Sequence, residues 1–153
     1  MNDQRQGMVD VSGKEPTRRV AVAESVLRAD AGTVQAVLDN DLPKSDPLQT
    51  ARAAALLAVK RTPETIPHCH TIQVTDASVE FEPAEDSVVI RCRVGTFDRT
   101  GAEMEAIYGV TVAAVTLYDM IKAVCPGAEI LRTRLLEKAG GKSGHWRAED
   151  SDE

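Results

Sequence analysis

The run RVAVAESVLR from Arg19 to Arg28 sets Val20, Val22 and Val26 on one side of an extended chain, with Glu24 interrupting the stripe, and so predicts a strand. Asp30 then stands where a side chain caps a short helix, because Val34, Val37 and Leu38 follow at helical spacing and Asn40 ends the pattern. Leu42 to Pro47 reads as a loop. Asp46 before Pro47 predicts a second helix start, with the aspartate as cap and proline at the first helical position. The Ala-rich stretch continues it to Arg61, and Pro63 and Pro67 are expected to stop it. Thr71–Glu82 and Ser87–Phe97 read as two strands separated by Pro83 to Asp86. In the second, Val88, Ile90, Cys92 and Val94 alternate with Val89, Arg91 and Arg93, which implies one buried and one wet face. Met104, Ile107, Val110, Ala114, Leu117, Ile121 and Val124 recur every three or four residues and predict a long helix over Ala102–Val124, ended by Pro126 and Gly127. A last strand is expected over Glu129–Glu137.

This order predicts an α+β fold of the ferredoxin-like βαββαβ type, an antiparallel sheet with helices on one face. If the other face is apolar, a second subunit must cover it, so an oligomer is expected. The expected divisions are a flexible N-terminal arm at 1–18, a single domain at 19–138, and a glycine-rich loop with an acidic tail at 139–153.

Composition narrows the picture. A chain of 153 residues suits one domain, and 42% hydrophobic residues supply its core. With 3% aromatic residues the core is aliphatic, and stacking platforms for single-stranded nucleic acid are not expected. A net charge of -6 argues against nucleic acid and anionic membranes as partners, although Glu149, Asp150, Asp152 and Glu153 place part of it in the tail. Three cysteines without regular spacing, no signal-peptide pattern and no apolar run of ~20 residues point to a soluble, cytoplasmic protein with reduced thiols.

Several polar groups are candidates for chemistry, each beside a plainer role. Lys44, Ser45 and Asp46 suit a solvated loop and a cap. His68 and His70 flank Cys69 and alternate residues share a side, but the scattered Cys92, Cys125 and His145 do not complete a metal site, so no metal is expected. Glu103 and Glu105 open the long helix, where carboxylates favour its positive end. Asp119 and Lys122 form a pair three residues apart among apolar neighbours. A cleft is expected for that pair, with burial lowering the lysine pKa toward acid/base work. Gly141-Lys142-Ser143 mimics the end of a P-loop, yet Leu136 stands where the required earlier glycine would be. A glycine loop offering Lys142 to a phosphate, or a frayed tail, are the remaining readings.

Taken together, Met8-Val9-Asp10-Val11-Ser12, Lys44-Ser45-Asp46 with Thr50-Ala51-Arg52, Lys60-Arg61-Thr62, Ile66-Pro67-His68-Cys69-His70, Thr100-Gly101-Ala102-Glu103-Met104-Glu105-Ala106, Leu117-Tyr118-Asp119-Met120-Ile121-Lys122-Ala123-Val124 and Gly140-Gly141-Lys142-Ser143-Gly144 resemble, in order and spacing, the cyclic pyranopterin monophosphate synthase (MoaC) family of molybdenum cofactor biosynthesis. The chain departs from the usual pattern at His68, Thr71 and Ser45. The resemblance implies a homohexamer, a trimer of dimers with interface active sites, acting on a nucleotide-derived small molecule. The reaction implied is rearrangement of a cyclic dihydroguanosine triphosphate to the pyranopterin with release of pyrophosphate and without a cofactor. It implies Asp119, Lys122 and Lys44 as catalytic and His68, Cys69, His70, Glu103, Met104 and Glu105 as substrate-contacting, and Lys142 is read as a phosphate contact. Lys44, Lys60, Arg61, Lys122, His70 and Lys142 are expected to focus positive potential on the substrate. The competing class is a non-enzymatic oligomer that senses a purine nucleotide or small anion.

Overall fold

The computed structural model describes residues 6–149, so Met1–Arg5 and most of the acidic tail lie outside the described residues. The elements are β1 (Thr17–Arg28), α1 (Ala31–Leu38), α2 (Pro47–Thr65), β2 (Val74–Pro83), β3 (Ser87–Asp98), α3 (Glu103–Ile121), β4 (Glu129–Ala139) and β5 (Trp146–Arg147). They build a mixed α+β fold with one sheet in the order β2-β3-β1-β4-β5, antiparallel at every pairing. The order β2-β3-β1-β4 with its connecting helices is compatible with the ferredoxin-like arrangement.

The alternation read in β3 is the one observed. Val88, Ile90, Cys92 and Val94 are buried, and across the ladder Ala21, Ala23, Ser25 and Leu27 of β1 are buried with them under the helices. Val20, Val22, Glu24 and Val26 therefore face away from the helices. That face is not simply apolar: Glu24, only 5% exposed, accepts hydrogen bonds from Arg91 Nε at 3.1 Å and Arg132 Nη2 at 3.3 Å. The interruption in the valine stripe is thus an ion-pair network rather than a defect.

Helix α3 lies against the middle of the sheet through Ala106, Val110, Ala113, Ala114, Leu117 and Ile121, all buried. Burial of each Leu or Ile in this core contributes about 1.5–3 kcal/mol. Gly109 lets α3 approach closely, since a Cβ there would stand 2.7 Å from Val59 of α2 and 3.1 Å from Cys92. The ends of the expected apolar stripe are not core: Met104 and Val124 are exposed.

Two helix signals act differently from the expectation. Asp30 caps α1, accepting from the Thr33 amide at 2.8 Å. Asp46 does not cap α2, because its backbone is left-handed (φ 54°) and its side chain turns back toward Asn40. Pro63 does not stop α2, which continues to Thr65. The carbonyl that proline cannot serve, that of Val59, accepts instead from the hydroxyl of Thr62 at 3.1 Å, which compensates the missing N–H. The C-terminal glycine segment is not a frayed tail within the described residues. It reverses the chain so that Trp146 and Arg147 pair with Lys138 and Glu137.

Candidate active site

At the C-terminal end of α3, spacing by three residues brings Asp119 and Lys122 together, with Lys122 Nζ 2.8 Å from Asp119 Oδ1. A third group arrives from 75 residues earlier in the chain. Lys44 lies in the loop before α2 and places Nζ 2.5 Å from the other Asp119 oxygen. The loop is shaped for this by left-handed backbone at Asn40 (φ 56°) and Asp46 (φ 54°) and by the Asp46 amide donating to Asn40 Oδ1 at 2.6 Å. The hydrogen bonds from Lys122 and then Lys44 hold the Asp119 carboxyl at about 2. The same contact moves Lys122 upward. The expected cleft and lowered lysine are therefore not what the chain shows: both side chains are about half exposed, so desolvation is weak and the carboxylate stabilises the ammonium. At rest an ionised Asp119 thus holds a protonated Lys122, whose proton is bound more tightly than in a free lysine.

The N-terminal end of α3 collects a different set. Glu105 is 1% exposed, and burial raises its pKa. The Cys69 thiol, carried by the turn after α2, stands 3.5 Å from Glu105 Oε1, while Oε2 is buried without a partner. Burial, and then Glu105, push the Cys69 thiol up to about 11, so it is a hydrogen-bond donor rather than a nucleophile. Glu103 pairs with Lys138 of β4 at 3.4 Å; Met104, next to it on the helix, is exposed, as is His68, next to Cys69 in the turn after α2. His70 Nε2 lies 2.6 Å from the carbonyl oxygen of Val9. Among the described residues no three His, Cys, Asp or Glu groups gather as metal ligands.

Sequence reasoning missed three cations at this end. A cavity of about 290 Å³ is lined by Gly13, Lys14, Glu15, Thr17, Arg19, Gly141, Lys142 and Ser143. Arg19 donates to the Arg99 carbonyl at 3.3 Å, but its Nε is buried without a partner. Gly141 (φ 72°) closes over this guanidinium, and any Cβ there would strike it. Lys14 and Lys142 line the same cavity, and Lys138 lies beside Glu103 next to it, with Arg19 and Lys138 lining one smaller neighbouring pocket. Four basic side chains thus surround the two pockets, with Glu15 and Glu103 beside them. The available signal was slight: Arg19 opens a strand and Lys138 follows the last one expected.

The expected site residues thus fall into two groups. Lys44, Asp119 and Lys122 stand at one end of α3, and Cys69, His70, Glu103, Met104, Glu105 and Lys142 at the other with His68. Glu103 and Asp119 are separated by about 24 Å of helix, at ~1.5 Å per residue. Lys60 and Arg61 are exposed on α2, and Arg61 lines a separate groove with Leu57 and Tyr108.

Comparison with known proteins supplies the context for this arrangement. The MoaC family model matches residues 8–141. The chain is 48% identical over 139 residues to the cyclic pyranopterin monophosphate synthase 2 of Mycobacterium bovis, covering 91% of this chain and 83% of that protein. It is 47% identical to the cyclic pyranopterin monophosphate synthases of Geotalea uraniireducens, over 94% of this chain and 91% of the relative, and of Thermomicrobium roseum, over 95% and 89%. On this match, which takes in strands β1 to β4 and both ends of α3, the chain belongs to the MoaC family.

Proposed function

We propose that the protein is a cyclic pyranopterin monophosphate synthase, a lyase of molybdenum cofactor biosynthesis. It converts (8S)-3',8-cyclo-7,8-dihydroguanosine 5'-triphosphate to cyclic pyranopterin monophosphate and releases pyrophosphate. Relatives near half identity over nine-tenths of the chain bear that name, which is the observation that carries the reading. The two clusters supply what the chemistry needs. Forming the cyclic phosphate expels a highly charged leaving group, and Lys14, Arg19, Lys138 and Lys142 offer cations for it. Opening and reclosing the base-derived ring moves protons without changing oxidation state, and no cofactor is invoked. Lys122 serves as the main general acid/base, held by Asp119, with Lys44 sharing the transfer or neutralising phosphate. Because Asp119 is ionised and Lys122 protonated at rest, the cluster enters the reaction as an acid. His68, Cys69, His70, Glu103, Met104 and Glu105 hold the substrate, Glu103 and Glu105 by accepting from the guanine-derived ring.

The working form in this reading is a cytoplasmic homohexamer, a trimer of dimers of single-domain ferredoxin-like subunits, with each active site between two chains. The separation of the clusters along α3 supports it: about 24 Å is too far for one proton donor to serve a ligand held at the opposite end. The site closes when one copy brings its Lys44-Asp119-Lys122 end to the Glu105 end of another. Incubation with the cyclic triphosphate is expected to yield pyrophosphate and a pterin-like product, whereas a sensor would return the ligand unchanged. Lys122→Ala and Glu105→Gln are each expected to be inactive. Refolded as a mixture, they should regain activity at about a quarter of the sites, those where an intact end meets an intact end. No recovery in proven mixed oligomers would place both halves in one chain and sink the interface reading.

A further inference from the structure

The segment Val9–Ser12 has no role in the chemistry above, yet it is fastened at several points. His70 Nε2 meets the Val9 carbonyl at 2.6 Å. A carbonyl oxygen only accepts, so Nε2 carries the proton, and in the neutral ring Nδ1 is then the acceptor. Asp10 accepts from the Ser12 amide at 2.9 Å, which sets the turn of the arm and holds the Asp10 carboxylate below the ordinary range. Further along, Arg99 Nε donates to the Lys14 carbonyl at 2.9 Å. Arg99 is itself placed by Asp98, which accepts from the Arg99 amide at 2.8 Å and, with its other oxygen, from the Gln73 amide at 3.0 Å. Gln73 is three residues from His70. The arm and the histidine segment are thus tied to one point at the end of β3.

We infer that Arg99 and the arm Val9–Ser12 are positioning elements for His70: the arm carbonyl fixes the proton on Nε2 and leaves Nδ1 to accept from the substrate. The assignment rests on the reading of His70 as a substrate contact. It explains why a polar arm outside the sheet carries a motif shared with the family resemblance, since its backbone, rather than its side chains, orients the ring.

The test uses the full chain labelled with ¹⁵N-histidine, assigned by a His70→Gln variant. The wild type is expected to show a His70 Nε2–H resonance protected from exchange with water. Arg99→Ala should lose that resonance and slow turnover about 10- to 100-fold, the scale of a misplaced contact, with little change in KM or melting temperature. Arg99→Lys should recover part of both. Deleting residues 2–12 removes the Val9 carbonyl without putting another in its place, leaves Arg99 and Lys14 present, and should give the same loss even if Arg99→Ala folds poorly. A protected resonance that survives the deletion overturns the inference whatever the activity. Loss of the resonance with unchanged turnover overturns it too, while leaving the proposed reaction standing. An inactive wild type with the resonance lost on deletion would strike the proposed reaction and keep the geometry of the clamp.

Discussion

The two ends of α3 differ in what they lack. At the C-terminal end, one carboxylate lies between two lysines, all half exposed, and every charge there has a partner. At the N-terminal end, Glu105 Oε2 and Arg19 Nε are buried with none. An unpaired buried polar atom costs free energy, so the second end carries a strain that the first does not. In the proposed reaction that strain is relieved by a ligand at the second end while the first exchanges protons with it, and the helix keeps the two apart within one chain.

Substitutions sharpen or break this contrast, beginning with the strongest. Lys122→Ala removes the proton donor and should lower turnover by about 10²- to 10⁴-fold, measured by pyrophosphate release. Its melting temperature should hardly move, since the side chain is exposed. A variant that unfolds instead would show the first end to be structural. Gly140→Ala acts on the other end. Gly140 has φ 98°, and an added Cβ would strike the Arg18 carbonyl oxygen, so a loss of about 2–4 kcal/mol is expected in urea unfolding.

Glu105→Gln separates ligand binding from stability. Burial raises the Glu105 pKa, so this group favours folding while protonated and that contribution is lost as pH rises from the ordinary carboxylate value through the raised one. The variant should melt a few degrees higher than the wild type at pH 7, the gap closing near pH 4, although its activity falls. Asp119→Asn has the opposite sign. Asp119 is depressed to about 2, so its contribution is fully present above the ordinary value near 4 and disappears as pH falls through about 2. Acid titrations should therefore show both variants approaching the wild type from opposite sides, Glu105→Gln from higher and Asp119→Asn from lower stability. His145→Ala gives the smallest effect. It removes the 2.7 Å contact to Glu137 that fastens β5, and a surface pair of ~0.2–1 kcal/mol should speed exchange of the Trp146 amide only by up to about fivefold.

Local periodicity made most of the fold legible. The alternation in β3, the Asp30 cap and the central part of the α3 stripe each depend on neighbours within a few residues, and each is observed. Pro63 misled because its compensation is a hydroxyl hydrogen bond that depends on which residue precedes it. The Asp119–Lys122 pair was legible by spacing, but its exposure was not: apolar neighbours along the sequence, such as Met120 and Ile121, point to the core while the pair points outward. Lys14, Arg19 and Lys138 were invisible as a group because only the sheet and the glycine turn bring three distant segments to one cavity. The burial of Glu105 was hidden for the same reason, since a carboxylate in a first helical turn ordinarily faces water.

The close packing at Gly109 turns α3 into a ruler. Each residue of an α-helix advances it by ~1.5 Å and turns it by about 100°. One residue inserted or deleted between Glu105 and Asp119 would swing one end around the helix relative to the other, and in a symmetric assembly it would do so in every copy at once. Turns away from both clusters, such as that at 84–86, can change length and adjust their shape. The span from Glu105 to Asp119 has no such freedom, so if the site is divided between subunits as proposed, tolerance of insertions, rather than of substitutions, is where that constraint should be most visible.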